Sequence, residues 1–388
     1  MYSIFSLTKK LAFILLLLWM LPACSPKMAS QNKDFKKQAL ATVTLANKYF
    51  MDKWPDAGKE IFVPSKKRTW PSHIWTRAVY YEGLMALYSV DPQPAYYDYA
   101  MSWGDKHSWG LRNGIKTRNG DDQACGQTYI DLYHIDKKET HIKDIKASID
   151  LMMQTDKIDD WSWIDAIQMA MPVFTQLGII YNDTNYFHRM YEMYAYTKYK
   201  HGDHGLYNAA DGLWWRDKDF DPPYQEPNGK SCYWSRGNGW VIAALVRVLN
   251  VLPKTDPHWE EYMDDYQAMM KALPAIQRAD GYWNVSLLDE SNFGGKELTG
   301  TSLFVYGMAW GINNGYLSKP AYLPVIKKAW GAMSKECVHP NGFLGYVQGT
   351  GKEPKDSQPV NYDEVPDFED FGLGCFLLAG SEVAKIAL

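Results

Sequence analysis

The sequence is poor in cysteine, with five residues in 388, and no two stand in a CxxC arrangement. Without such spacing there is no sequence signature of a thiolate zinc knuckle or a redox dithiol. Beyond Cys24 the remaining four, Cys125, Cys232, Cys337 and Cys375, are widely separated. A chain this long can bury a core without crosslinks, so they are expected to be mostly buried thiols. His201 and His204 (HGDH) come nearest to a ligand pair, but with no Cys or His partner close by they read as loop residues, and no metal is expected. A charge excess is also missing: 41 basic residues face 45 acidic ones, for a formal charge of −4. Removing residues 1–23 would take away Lys9 and Lys10 and no acid, making the chain more acidic still. No basic face is then available to neutralise phosphates, which argues against nucleic acid as a partner. A small anion held by one arginine remains compatible. No Pro/Ser-rich linker or charge block divides the chain after the first few dozen residues, so 34–388 are expected to form one domain, although length alone favours two.

A long apolar run is absent except at the start. Residues 1–24 read MYSIFSLTKKLAFILLLLWMLPAC. Two lysines precede an apolar stretch of about ten to twelve residues, the charge order and length of a secretory signal and too short for a stable membrane span. It closes on Leu21-Pro22-Ala23-Cys24, which resembles the lipobox of bacterial lipoproteins. The expectation is a signal peptide over 1–23, a lipidated Cys24 and a flexible tether over 24–33. The chain would then meet the membrane only through a lipid at Cys24, on the bacterial cell envelope, facing the periplasm or the outside.

What the sequence does have is helical periodicity. Apolar residues recur at three and four spacing, while strict alternation is rare and short. About twelve helices are predicted, near 35–53, 73–91, 95–107, 122–135, 140–154, 163–178, 184–201, 238–252, 257–278, 299–316, 320–336 and 369–386. They alternate in character. AIQMAMPVFTQLG, VIAALVRVL, LFVYGMAWGI and GCFLLAG are apolar or small nearly all round, as a helix buried on every side must be, whereas DTNYFHRMYEMYAYTKYK and HWEEYMDDYQAMMKAL keep a charged face. Six pairs with an inner and an outer ring follow, an all-α six-hairpin toroid. A weak repeat, ADGLWWRD (210–217), ADGYWNVSL (279–287) and PNGFLGYVQ (340–348), reads as tight turns between short strands. Six unusual loops, 68–75, 118–127, 159–165, 232–240, 293–302 and 363–372, would enclose one cavity.

Aromatic residues make up 15% of the chain. Most are needed to fill space between rings, but Trp161, Trp163, Trp234 and Trp240 sit in loops beside charges. Asp165 stands at the start of an almost uncharged helix, behind tryptophans. Burial against such rings raises a carboxyl pKa, as a general acid requires, while the helix N-terminus favours the carboxylate. Asp121 and Asp122 enter another buried helix in the same way, and either could be a cap. A second carboxylate across a cavity suits sugar chemistry. In YWSRGNGW (233–240) Arg236 could offer its fork to a carboxylate, with Gly237 and Gly239 letting the ligand approach backbone N–H groups.

The motifs WSWIDAIQMAMPVF (161–174), YWSRGNGW (233–240), ELTGTSLFVYGMAWGINNG (297–315) and DDQACGQTYIDLY (121–133) resemble glycoside hydrolase family 105, the unsaturated rhamnogalacturonyl hydrolases, and the related family 88 of unsaturated glucuronyl hydrolases. The resemblance covers nearly everything after residue 34. It implies an (α/α)6 barrel, no metal and no organic cofactor. It implies an oligosaccharide substrate with a 4,5-unsaturated uronic acid at its non-reducing end, as a polysaccharide lyase leaves it. Asp165 would protonate C4 of the vinyl ether, water would add at C5, and the hemiketal would open. The second aspartate maps to Asp121 or Asp122, and Trp163, Trp234, Arg236, Asn238 and Trp240 would contact substrate. Rhamnose is the expected next sugar, in lyase-generated pectin (rhamnogalacturonan) fragments, with an unsaturated glucuronyl hydrolase acting on galacturonan-, glycosaminoglycan- or ulvan-type lyase products as the alternative within the same chemistry. Two other readings stay open: an inverting glycosidase acting on a saturated glycoside through Asp165 and Asp122, and a surface glycan-binding lipoprotein without turnover.

Overall fold

The structure, a computed structural model, describes residues 26–387, and side chains among them from Asp34 onward. The expected signal peptide and Cys24 lie outside the described residues. In chain order the helices are α1 (Pro26–Lys53), α2 (Trp75–Val90), α3 (Pro94–Lys106), α4 (Gly120–Gln123), α5 (Cys125–Asp136), α6 (Lys143–Met153), α7 (Asp165–Tyr181), α8 (Asn185–Tyr199), α9 (Ser235–Leu249), α10 (Trp259–Ala272), α11 (Leu298–Asn313), α12 (Lys319–Glu336) and α13 (Asp370–Val383). The backbone of α1 starts at Pro26, so residues 26–33, expected as a tether, continue the helix backwards. Proline is tolerated in a first turn, and no breaker follows it.

The alternation of apolar and amphipathic segments becomes two rings. Along α11 every residue from Leu298 to Gly311 is buried, whereas α6 buries Ile145, Ser148, Ile149 and Met152, a single stripe at helical spacing. The inner ring runs α2, α4–α5, α7, α9, α11, α13 and closes by packing α13 on α2. At that seam the helices touch backbone to backbone. A Cβ on Gly83 would lie 2.5 Å from the Gly374 carbonyl oxygen, and one on Gly374 would lie 2.2 Å from that of Val79. The seam also carries a fully buried ion pair, Arg77 Nε to Asp370 Oδ2 at 3.0 Å.

Further down the barrel interior Gln168 donates to Glu82 Oε2 at 2.8 Å. Burial pushes Glu82 up to about 8, against the pull of nearby Arg247, so the fully enclosed carboxyl need not carry a charge at neutral pH. Cys125, Cys232, Cys337 and Cys375 are buried free thiols.

Short strands occur only in loops. β1 (Ile61–Val63) pairs antiparallel with β2 (Arg68–Trp70), a hairpin the periodicity does not announce because three residues are too few to show alternation. Of the three expected turns, ADGLWWRD forms β3 (Tyr207–Asn208) against β4 (Leu213–Trp214), with Gly212 at φ +65°. PNGFLGYVQ keeps one bridge, Val338 to Leu344, while ADGYWNVSL turns at Gly281 (φ +100°) and its later residues bridge the segment before α9 through Trp234 and Ser286.

Candidate active site

The N-terminal ends of the inner helices gather on one side of the barrel, and the loops before them build the site. Asp165 is the first residue of α7 and is 9% exposed. The chain ahead of α7 is fixed by strand-like pairing with the segment after β4: Trp163 bridges Asp217, and Ile164 N–H donates to the Arg216 carbonyl at 3.0 Å. That pairing brings the Arg216 side chain over the helix start. Its Nε donates to Asp165 Oδ2 at 3.0 Å and its Nη1 to Asp217 Oδ2 at 2.6 Å. Burial works against the Arg216 charge, but Asp165 and Asp217 outweigh it and raise its pKa. Asp165 therefore rests beside a cation that favours its carboxylate.

Of the two aspartates at 121 and 122, the structure separates the roles. Asp122 is 1% exposed. Its Oδ2 accepts from Asn113 Nδ2 and Thr117 Oγ1, each at 2.7 Å, and its Oδ1 lies 2.7 Å from Arg112 Nε as an ion contact rather than an aligned hydrogen bond. It is a structural anchor for the loop before α4. Asp121 sits in the first turn of α4, where Asn119 caps the helix by accepting the Asp121 N–H at 2.8 Å. Burial and the charge on Asp165 push the Asp121 carboxyl up to about 7, against the opposing pull of Arg112 and Arg216. Asp121 and Asp165 thus feel one another across the mouth, one near half-protonation at neutral pH and one paired to arginine.

YWSRGNGW does a different job from the one expected. Arg236 is 1% exposed, and both ends of its fork are filled: Nη1 donates to the Gln348 carbonyl at 2.6 Å and Nη2 to the Gly349 carbonyl at 2.8 Å. The guanidinium lies over Trp234 (4.4 Å) and Phe371 (5.0 Å), and burial lowers its pKa. It clamps the loop after residue 347, and although its Nε is left without a partner, burial keeps the guanidinium from solvent. Trp234 donates through Nε1 to Gln348 Oε1 at 3.0 Å. Asn238, fully buried, locks onto both backbone groups of Trp214 and so holds the strand that carries Arg216. Trp240 is fully buried, edge-on to half-buried Trp75. Trp161 is buried against Phe174, while Trp163 remains half-buried beside the Arg216 strand. Gly239 is small because a Cβ would lie 2.8 Å from the side chain of Leu303 on α11, so it serves helix packing rather than ligand approach.

Sequence reasoning missed Arg216, Asp217 and Arg112. Arg216 lies inside ADGLWWRD, read only as a turn, and nothing in its spacing marks the reach to Asp165. His73 joins the same wall: Arg112 and burial hold its pKa low, and its ring stacks on His107 at 4.1 Å. Trp70, under the Arg112 guanidinium at 5.9 Å, forms an aromatic rim beside Phe368. Lys66 pairs with Asp367 at 2.7 Å and ties the β1–β2 hairpin to the loop that Arg236 clamps. Among the described residues no group of three His, Cys, Asp or Glu side chains is arranged to hold a metal ion.

A cavity of about 650 Å³ opens at the opposite end of the barrel, among Asp131, Arg247, Tyr306, Asn313 and Glu382. Most of its charges are already paired, Arg247 with Asp131 at 3.1 Å and Lys385 with Glu382 at 2.6 Å, while Lys319 donates to the Ala387 carbonyl. The juxtaposed aspartates lie at the other mouth.

Comparison with known proteins agrees with this fold. The family model described as Glycosyl Hydrolase Family 88 matches residues 42–387. A protein of Formosa agariphila named unsaturated 3S-rhamnoglycuronyl hydrolase is 30% identical over 332 residues, 80% of this chain and 84% of its own. A solved family 88 glycosyl hydrolase from Bacteroides vulgatus superposes with a TM-score of 0.81 at 31% identity, covering 90% of this chain and 99% of that one. A family 105 enzyme from C. acetobutylicum shares the fold at 20% identity, with a TM-score of 0.68 over 89% of this chain and 99% of its own. The chain belongs to glycosyl hydrolase family 88, a family of glycoside hydrolases with the (α/α)6 barrel.

Proposed function

We propose that the protein removes a 4,5-unsaturated uronic acid from the non-reducing end of lyase-generated oligosaccharides, with rhamnose as the neighbouring sugar. The name of the Formosa agariphila relative supports a rhamnose-linked uronyl substrate. The observation that carries the reading is the aspartate pair: Asp165, bound to Arg216, and Asp121, pushed up to about 7 by burial and by Asp165. Hydration of a vinyl ether needs a proton for C4 and a base for the water that adds at C5. A pair holding one proton and one negative charge supplies both. The proton goes to C4, the ring oxygen shares the positive charge that develops at C5, and water attacks there while a carboxylate takes its proton. The pair thus ends with the proton it began with. The hemiketal at C5 opens and the glycosidic bond is lost from the opened sugar, leaving a keto product. Half-buried Trp163 and Trp75 and the rim residue Trp70 offer flat faces to the sugar rings.

Purified protein incubated with lyase-digested rhamnogalacturonan is expected to remove the ultraviolet absorbance of the conjugated double bond. Asp165→Asn and Asp121→Asn are each expected to lower that rate at least about 10³-fold, since general acid–base groups contribute about 10²–10⁴. New reducing ends from a saturated oligosaccharide, with the absorbance intact, would instead identify an inverting glycosidase.

The apolar leader ending at Cys24 supports a lipid-anchored enzyme of the bacterial cell envelope. Cys24→Ser is expected to leave the enzyme in the soluble fraction of lysed cells; membrane retention of the variant would rule the anchor out.

A further inference from the structure

Arg236 is 1% exposed and holds two backbone carbonyls, so a better exposed cation is needed to meet the carboxylate that every unsaturated uronic acid carries. Arg112, whose side chain is 23% exposed, is tied through its Nε to Asp122 and makes no ion pair with Asp165 or Asp121. Arg216 is differently placed. Its Nη1 is anchored on Asp217 at 2.6 Å, its Nε rests on Asp165 at 3.0 Å, and its Nη2 makes no hydrogen bond to the described residues. Its side chain keeps 17% exposure at a mouth where Arg236 has 1%. A guanidinium with one edge fixed and the other shared by a catalytic carboxylate is a receptor already pointed at the site, because the anchor on Asp217 removes the need to order the side chain on binding.

We propose that Arg216 is the receptor for the carboxylate of the unsaturated uronic acid, and that substrate binding draws it off Asp165. This rests on the proposed function and adds to it a reason for the order of events. In the free enzyme Arg216 neutralises Asp165, and the one proton of the pair stays on Asp121. When the uronate takes the Nε–Nη2 edge, Asp165 loses its cation while a further negative charge arrives beside it. Both changes favour the protonated form of Asp165, so the pair's proton passes to it from Asp121, directly or through water. No proton is gained or lost by the enzyme. Asp165 is then the acid next to C4 and Asp121 the carboxylate that receives the proton of the attacking water. Only a ligand with a free carboxylate triggers the exchange, so Arg216 couples recognition of the acid to arming of the donor. Arg216 in this scheme both binds substrate and positions the proton, while Asp217 holds Arg216 in place.

The test compares the unsaturated disaccharide with its C6 methyl ester, which keeps the double bond and removes the charge. The wild type is expected to favour the acid by at least about 100-fold in kcat/KM, the scale of one desolvated charge-assisted pair. Arg216→Gln should bring that ratio to within about 3-fold of one, and Arg216→Lys, which keeps the charge but not the fork, should restore part of it. A purely structural role would lower both substrates together and leave the ratio where it was, which would overturn the assignment. Should Arg216→Gln fold poorly by circular dichroism, Asp217→Asn supplies the second measurement: loosening the anchor should raise KM for the acid while leaving that for the ester within about 2-fold, and equal changes for both would again overturn it. If the wild type turns over neither disaccharide, the proposed function itself fails, an outcome distinct from turnover without acid preference.

Discussion

At the scale of single residues, the site is organised by how one negative charge is shared. Asp121 is pushed up to about 7 by burial first and the charge on Asp165 second. The sign for activity follows directly: the pair holds its proton below that value and loses it above. We therefore expect kcat/KM for the unsaturated disaccharide to fall about 10-fold per pH unit above pH ~7.5, measured by the decay of ultraviolet absorbance. A flat profile to pH 9 would remove the Asp121 proton from the mechanism. The sign for stability runs with it. An acid whose folded pKa is raised costs nothing below its unfolded value near 4, and the cost grows as pH climbs to 7. Asp121→Asn should accordingly raise Tm by a few degrees at pH 8 and leave it unchanged near pH 4, which thermal scans at the two pH values can check. Asp165 was legible because it stands in the first turn of a helix whose interior is otherwise uncharged, whereas Asp121 could not be told from its neighbour Asp122. Arg216 was not legible, since its partnership spans 51 positions and depends on a strand pairing of two residues. The partners of Arg236 were hidden for a related reason. A fork between tryptophans says that a carboxylate or a carbonyl will be met, and only the fold reveals that Gln348 and Gly349 arrive to meet it.

At the scale of elements, periodicity carried further than motif. The twelve helical segments were visible because each repeats its pattern over three or more turns, and the inner and outer rings differ in how much of the circumference is apolar. The small loop strands had two or three residues in which to show a period, so one hairpin, β1–β2, went unread and the bridge from Ser286 to Trp234 was not foreseen. The contact between α2 and α13 shows what such patterns omit. Gly374 in GCFLLAG reads as one more small residue, yet the Val79 carbonyl lies where its Cβ would go, at 2.2 Å. Backbone cannot yield as a flexible side chain can, so Gly374→Ala must push two inner helices apart. We expect a loss of about 1–3 kcal/mol by urea unfolding, the usual cost of overpacking a tight core. An alanine at solvent-facing Gly331, with nothing within 4 Å of its Cβ, should cost nothing and serves as the control for helix propensity.

At the scale of the molecule, closure of the ring makes the first and last inner helices one structure although nearly three hundred positions separate them. Arg77 near the start of α2 and Asp370 at the start of α13 meet at 3.0 Å with 1% and 2% side-chain exposure, and Arg77 also lies over the rings of Phe50 on α1 and Trp54 just after it. Burial opposes both charges. It raises the Asp370 pKa despite the arginine, while the arginine itself is kept charged by Asp370. A pair enclosed in this way adds little net stability over an apolar pair of the same volume, but either partner left alone is a buried charge with no counter-ion. Arg77→Met and Asp370→Leu should each cost about 3–5 kcal/mol, and the double variant should cost less than either single one, which a double-mutant cycle in urea measures directly. The seam also adjoins the mouth: α13 starts directly after the loop that Arg236 and Lys66 hold, and Phe371 packs on the Arg236 guanidinium. Opening it should therefore reach the chemistry. The single variants are expected to lose turnover on the unsaturated disaccharide at temperatures where wild type is fully active, and the double variant to recover it. If the singles lose stability but keep wild-type kcat up to their own Tm, closure of the ring and the geometry of the aspartate pair are independent of one another.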